Sequence, residues 1–264
     1  MMSRGNIFWG IVLLLVGLLL LLDNLGFLGD VEVWTLIWPL FLISLGVWIL
    51  LGALLRRNVK SEHVALPLEN AQSARFRLQH GAGRIIVSGS AAMGTLMEGD
   101  FGGGLDVSKR QSGDMLDVKM KMSGSFFPFD WSPGQSLDWV FNLSRDIPLI
   151  LELETGASEN RLDLTDLRVS ELSLKSGASS TNLTLPANAG RTRVNIEAGA
   201  ASVKISVPGG VAARIRSKSG LSSINVNQQR FGKSGDLYQS PDYDSAANQA
   251  DIEVQMGVGS VEVL

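Results

Sequence analysis

Six glycines constrain this chain more than any other feature. Gly81, Gly156, Gly177, Gly199, Gly220 and Gly257 each sit in the same local pattern. Five residues before them stand Phe76, Leu151, Leu172, Val194, Ile215 and Ile252, and three before stand Leu78, Leu153, Leu174, Ile196, Ser217 and Val254. Two residues after come only small side chains, at Gly83, Ser158, Ser179, Ala201, Ser222 and Gly259. Six after, the chain is again apolar, at Val87, Leu162, Leu183, Ile205, Val226 and Val263. The central spacings are 21, 22 and 21 residues. A fixed period of this length marks a repeat architecture, and each unit reads as strand, Gly-x-small corner, strand and turn. The apolar positions are expected to keep one parity, as a strand with one buried face requires. A corner residue without Cβ allows a sharp bend, a positive φ or a close neighbour. Pro186 and Pro208, each nine residues past their glycine, are expected to close the second strand, because proline cannot extend a ladder.

Two all-β architectures accept this pattern. An antiparallel sandwich gives strands every 8–12 residues but has no reason to repeat its corner chemistry. A parallel β-solenoid sets equivalent residues of successive units above one another, which explains the recurrence, and it is the expected fold for residues 74–264. Two inserts break the period. Residues 227–249 are polar and read as an exposed loop. Residues 124–148 hold Phe126, Phe127, Phe129, Trp131, Trp139 and Phe141, six of the chain's eighteen aromatics. That cluster reads either as a plug capping the repeat or as a contact patch for a partner protein or the membrane surface. Between Val87 and the cluster, Leu116, Val118 and Met120 give a strand signal that the repeat alignment does not register.

The first sixty residues are of another kind. Eighteen consecutive residues between Arg4 and Asp23, and 23 between Glu32 and Arg56, carry no charge. A membrane-spanning helix needs about 20 apolar residues. A two-helix transmembrane hairpin is therefore expected over residues 1–58, with spans at about 6–22 and 33–55 and a linker at 59–73. No small-residue cleavage site follows Leu22, so the first run is read as an uncleaved span rather than a signal peptide. The connecting loop holds Asp23, Asp30 and Glu32, whereas Arg4, Arg56, Arg57 and Lys60 flank the outer ends. The preference of cations for the cytoplasmic side puts both termini in the cytoplasm of a multi-pass membrane protein.

Composition removes several chemistries. There is no cysteine, so thiol nucleophiles, disulfides and Cys-ligated metals are out, and His63 and His80 are the only histidines. A net charge of -3 gives no basic field for nucleic acid. Asp100-Phe101-Gly102 spells a kinase tripeptide without any accompanying kinase motif, and no Gly-x-Ser-x-Gly occurs. Glu152, Glu154, Asp163 and Glu197 alternate with apolar residues and read as wet strand faces, and both histidines read as solvated. No catalytic, metal or cofactor-binding residue is expected, and no small-molecule substrate.

Leu22-Asp23-Asn24-Leu25-Gly26 in the hairpin turn, and Leu36-Ile37-Trp38-Pro39-Leu40 followed by Gly46, resemble the transmembrane region of bacterial LiaI/LiaF-like proteins. The run from Gly81-Ala82-Gly83 through Asp146-Ile147-Pro148-Leu149, Glu154-Thr155-Gly156-Ala157, Leu162-Asp163-Leu164 and Leu185-Pro186 to Gly257-Val258-Gly259-Ser260 is similar to the toast-rack β-repeat domain, related to LiaF C-terminal and adhesin-like domains. The resemblance implies a membrane-anchored β-solenoid of the cell-envelope stress response, where LiaF-like proteins restrain a sensor kinase. It supplies no catalytic residues. The expected function is non-enzymatic regulation by binding, with the lipid bilayer and a membrane protein such as a sensor kinase as partners. The alternative is self-association into a structural scaffold, or an adhesin-like role.

Overall fold

The computed structural model describes residues 61–123 and 137–264, with residues 10, 13–14, 16–18, 21, 25, 38–39 and 41–46 of the apolar region. Among the described residues thirteen strands form one sheet: β1 (Glu62–Pro67), β2 (Ser73–Ser88), β3 (Thr95–Phe101), β4 (Leu105–Ser112), β5 (Met115–Met122), β6 (Trp139–Leu143), β7 (Pro148–Asp163), β8 (Arg168–Thr184), β9 (Arg191–Ser206), β10 (Ala212–Val226), β11 (Gly232–Ser234), β12 (Leu237–Gln239) and β13 (Gln249–Val263). β1 falls inside the stretch read as a linker.

Six of these strands are 15–17 residues long and carry the repeat glycines near their middle. They pair in parallel and in register, in the order β2-β7-β8-β9-β13-β10. Each runs as a first arm, a corner and a second arm. β7 buries Leu149, Leu151, Leu153 and Thr155 before its corner, then Asn160 and Leu162 after it; β13 repeats the pattern with Ala250, Ile252, Val254, Met256, Val261 and Val263. The buried parity therefore switches at the corner, contrary to the single parity expected. The Gly-x-small step changes which side of the strand faces in, so both arms turn aliphatic side chains toward one shared core. Among the polar groups buried in these arms, Asn160 Nδ2 donates to Thr181 Oγ1 on the next strand at 3.1 Å.

The corner glycines are needed for closeness rather than for a positive φ. A Cβ on Gly156 would lie 2.4 Å from the Gly81 carbonyl oxygen, one on Gly177 2.8 Å from that of Gly156, and one on Gly199 2.7 Å from that of Gly177. Any side chain there would meet the backbone of the neighbouring unit. The proline expectation holds: β8 and β9 end at Thr184 and Ser206, two residues before Pro186 and Pro208.

Successive stacking, which an uninterrupted solenoid requires, runs from β7 to β9 and then fails. β13 lies between β9 and β10, so Gly257 sits over Gly199 and Gly220 over Gly257. The polar insert before β13 makes this order accessible. It forms the β11–β12 hairpin against Arg214–Arg216 of β10, and the chain then returns beneath β10. Arg230 pins the insert to the turn between β9 and β10 by donating to the carbonyls of Val207, Pro208 and Val211.

β2 has a split neighbour on its other side. β5 pairs with its first arm, Leu116 beside Ala74 and Val118 beside Phe76, and β6 pairs with its second arm, Trp139 beside Ile85 and Phe141 beside Val87. β5 and β6 thus complete one more unit, its first arm ending at Met122 and its second beginning at Trp139. β4 covers β5, and β3 and β1 cover β6, all antiparallel.

In the apolar region, residues 13–14, 16–18, 38–39 and 41–46 are helical. Among the described residues no helix is long and apolar enough to cross a membrane. Most of the expected spans at 6–22 and 33–55 lies outside the described residues.

Candidate interaction surface

Because the corners carry no side chain, the outward positions beside them frame a shallow groove running across the strands. Two residues before each glycine, in stack order, stand Gln79, Glu154, Lys175, Glu197, Gln255 and Lys218. Neighbouring strands lie about 4.8 Å apart, so these heads form a ladder of mixed charge. Gln79 Nε2 donates to Glu154 Oε2 at 2.8 Å, Lys175 Nζ lies 3.4 Å from Glu197, and Lys218 Nζ lies 3.1 Å from Glu253. The hydrogen bond from Lys218 holds the Glu253 carboxyl below its usual range. Thr155, Ser176, Ala198, Gly199, Gly220 and Met256 complete a groove of about 760 Å³ open to solvent. It offers alternating hydrogen-bond donors and acceptors and no deep enclosed cavity.

The sequence signal for this surface lies two residues before each corner, where every unit is polar; the aromatic cluster draws attention away from it. The structure separates that cluster. Trp139 and Phe141 are 0% and 1% exposed and occupy the two core positions of the second arm. Phe101 packs between them, 5.3 Å from Trp139 and 5.7 Å from Phe141 by ring centres, and Trp139 Nε1 donates to the Gly102 carbonyl at 3.1 Å. As folded, neither presents a contact surface. Phe126, Phe127, Phe129 and Trp131 lie outside the described residues.

The histidines also separate. His63 is exposed, with Nδ1 3.2 Å from Asp100. His80 is not solvated, contrary to expectation: it is 3% exposed, its ring centre stands 4.8 Å from that of Trp139, and its Nε2 is 2.9 Å from the Leu137 carbonyl oxygen. Burial pushes its pKa below the usual histidine value, against opposing effects of the Leu137 hydrogen bond and Asp138. Nδ1 is buried without a partner. Sequence spacing could not reveal this, because the residues that enclose His80 return to it only after the 124–136 insert. Glu159 also departs from its ordinary value, held low by hydrogen bonds from Arg84 and then Arg161. Among the described residues no group of three His, Asp or Glu side chains is placed to hold a metal ion.

Comparison with known proteins agrees with this geometry. No curated protein matches the chain. A crystal structure described as a candidate cell adhesion protein from Clostridium sporogenes aligns over 77% of this chain and 98% of its own, at 21% identity and a TM-score of 0.71, which is likeness of fold. A candidate adhesin from Bacteroides fragilis covers 78% of this chain and 97% of its own at 9% identity, but a TM-score of 0.26 carries no argument. Residues 7–50 match the family described as the LiaI-LiaF-like transmembrane region. Residues 56–206, more than half of the chain, match the N-terminal domain of toast_rack, and the protein belongs to that family.

Proposed function

We propose that this chain is a non-enzymatic, multi-pass membrane protein of the bacterial cell envelope that binds a protein partner along its β-stack, in the manner of a solenoid, and so takes part in the envelope stress response. Both termini are cytoplasmic in this reading. The observation that carries it is the open groove beside the glycine corners, with its ladder of Glu154, Lys175, Glu197, Gln255 and Lys218. A rigid parallel stack with a solid aliphatic interior presents a long lateral surface, which suits protein recognition better than enclosure of a small substrate. Fixed polar groups at strand spacing match the backbone and side chains of an extended segment. The match to the LiaI-LiaF-like transmembrane region supports the membrane anchor. The neighbour described as a candidate cell adhesion protein supports a binding role over a catalytic one. The aromatic run Phe126 to Trp131 is retained as an additional partner contact.

The absence of cysteine makes the test direct. A photo-cross-linker attached to Ser176→Cys in the groove is compared with one on Ser108→Cys, an exposed residue of β4, in intact cells. The reading requires one heterologous adduct at Ser176 that disappears in the Lys175→Glu, Lys218→Glu double variant. Identical adducts from both positions would remove the groove from consideration. An unchanged envelope-stress reporter in cells lacking the protein would remove the stress-response role.

A further inference from the structure

The β-stack has two ends, each with two arms. At the β2 end both arms are covered, one by β5 and β4, the other by β6, β3 and β1. At the other end β12 covers only Arg214–Arg216 of β10. From Ser217 to Val226, β10 pairs with β13 on one side and with nothing on the other among the described residues.

Several observations gather on this edge. Ile224 holds the second-arm core position that Ile85, Val203 and Val261 fill at no more than 1% exposure, yet it is 36% exposed. The corner position filled by alanine in β2, β7, β8 and β9 becomes Val258 and Leu221 on the last two strands, 54% and 78% exposed. The Ser217 and Ser222 hydroxyls are shielded from water without a hydrogen-bond partner. Natural sheet edges are blunted by lysine, proline or a bulge. Residues 219–226 contain no charge and no proline, and their pairing with β13 shows no bulge. This arm is built like an interior arm that lacks its neighbour.

We propose that the second arm of β10, Gly220–Val226, pairs antiparallel with the same segment of a second copy about a twofold axis at Ser223 or Ile224, joining two stacks into one continuous sheet. Charge placement selects this occupant and direction. Antiparallel pairing sends Arg216 and Lys218 of the two copies to opposite ends of the contact, whereas parallel pairing would set like cations side by side. Inward positions must face inward positions, so Ile224 meets Ile224 or Ser222 of the other copy and its exposed face is sealed. The association closes at two. The opposite end of the stack presents the edge strands β1 and β4, with exposed Glu62, His63, Lys109 and Arg110, and cannot accept this edge in a head-to-tail filament. The inference does not depend on the partner-binding reading above, and the two can fail separately.

Full-length protein carrying Ser223→Cys or Ile224→Cys, the only thiol in each chain, is oxidised in native membranes beside Ser108→Cys. Cysteines facing across such a pair lie about 5 Å apart at Cβ. A disulfide-linked dimer is expected at 223 or 224 and not at 108. By light scattering in mild detergent the wild type should have twice the protein mass of Ile224→Lys. A monomeric wild type without cross-links at 223 or 224 overturns the proposal. So does a dimer that persists in Ile224→Lys, or a disulfide from position 223 to a different protein in place of the dimer, which would make the edge a site for a foreign strand.

Discussion

Replacing Gly177 by alanine tests the stacked corners at the level of a single methyl group. An ideal Cβ there falls 2.8 Å from the Gly156 carbonyl oxygen, closer than real Cβ atoms approach. The obstacle is backbone, held by ladder bonds on both sides, so it cannot swing away like a side-chain tip. The neighbouring strand must withdraw by a few tenths of an ångström and lengthen those bonds. Overpacking costs about 1–3 kcal/mol, and weakening one or two flanking hydrogen bonds adds about 1 kcal/mol. Gly177→Ala should therefore destabilise by about 2–4 kcal/mol, lowering Tm by roughly 5–15 °C for a domain of this size. Gly209 is the control: it lies in a turn with no atom within 4 Å of an added Cβ and no positive φ. Gly209→Ala should change stability by less than about 0.5 kcal/mol or raise it slightly. Thermal unfolding followed by circular dichroism on the detergent-solubilised chain reads both. Equal Tm values for the two variants would refute the close-approach account of the repeat.

Three further outcomes follow from the same structure. Trp139→Ala empties a fully buried position and should cost about 3–5 kcal/mol, while Val140→Ala, at a residue 43% exposed, should cost far less in the same urea titration; equal losses would contradict the core placement of Trp139. His80, with its pKa lowered in the fold, contributes stability that is complete above the unfolded value of about 6.5 and is lost as pH falls from there toward the folded pKa, because the unfolded chain takes up a proton that buried His80 resists. The urea midpoint should drop between pH 7.5 and pH 5 and drop less in His80→Gln; parallel slopes would show that His80 does not resist protonation. Arg230→Met removes three charge-assisted hydrogen bonds to the 207–211 turn and should destabilise by about 1.5–3 kcal/mol, with faster amide exchange at Val211; unchanged exchange would dismiss the clamp.

What the sequence made legible was whatever recurs. The glycines, the apolar positions on either side of them and the closing prolines predict the long strands and their shared register, because a parallel stack imposes the same environment on equivalent residues. Three features had no such signal. The unit made by β5 and β6 carries its core residues, from Leu116 to Phe141, but its two arms are far apart in sequence, so the repeat alignment does not register it and Trp139 and Phe141 read as part of an aromatic insert. The order β9-β13-β10 depends on where a polar insert returns the chain, and β10 and β13 carry the same pattern, so periodicity cannot order them. The burial of His80 depends on Leu137 and Trp139, distant in sequence. The groove was legible in principle, since its side chains recur two residues before each corner.

The order of the stack is tested most directly with paired cysteines in this cysteine-free chain. Ser202 and Ser260 are register partners on β9 and β13, with their hydroxyl oxygens 3.3 Å apart. Ser202 and Ser223 would be partners if β10 followed β9, but β13 lies between them, leaving about 10 Å between the strands. A disulfide spans only about 4.4–6.8 Å between Cα atoms. Mild oxidation should close an intramolecular disulfide in Ser202→Cys/Ser260→Cys and none in Ser202→Cys/Ser223→Cys. Rapid closure of the second pair with failure of the first would contradict the fold on which the groove and the open edge both rest.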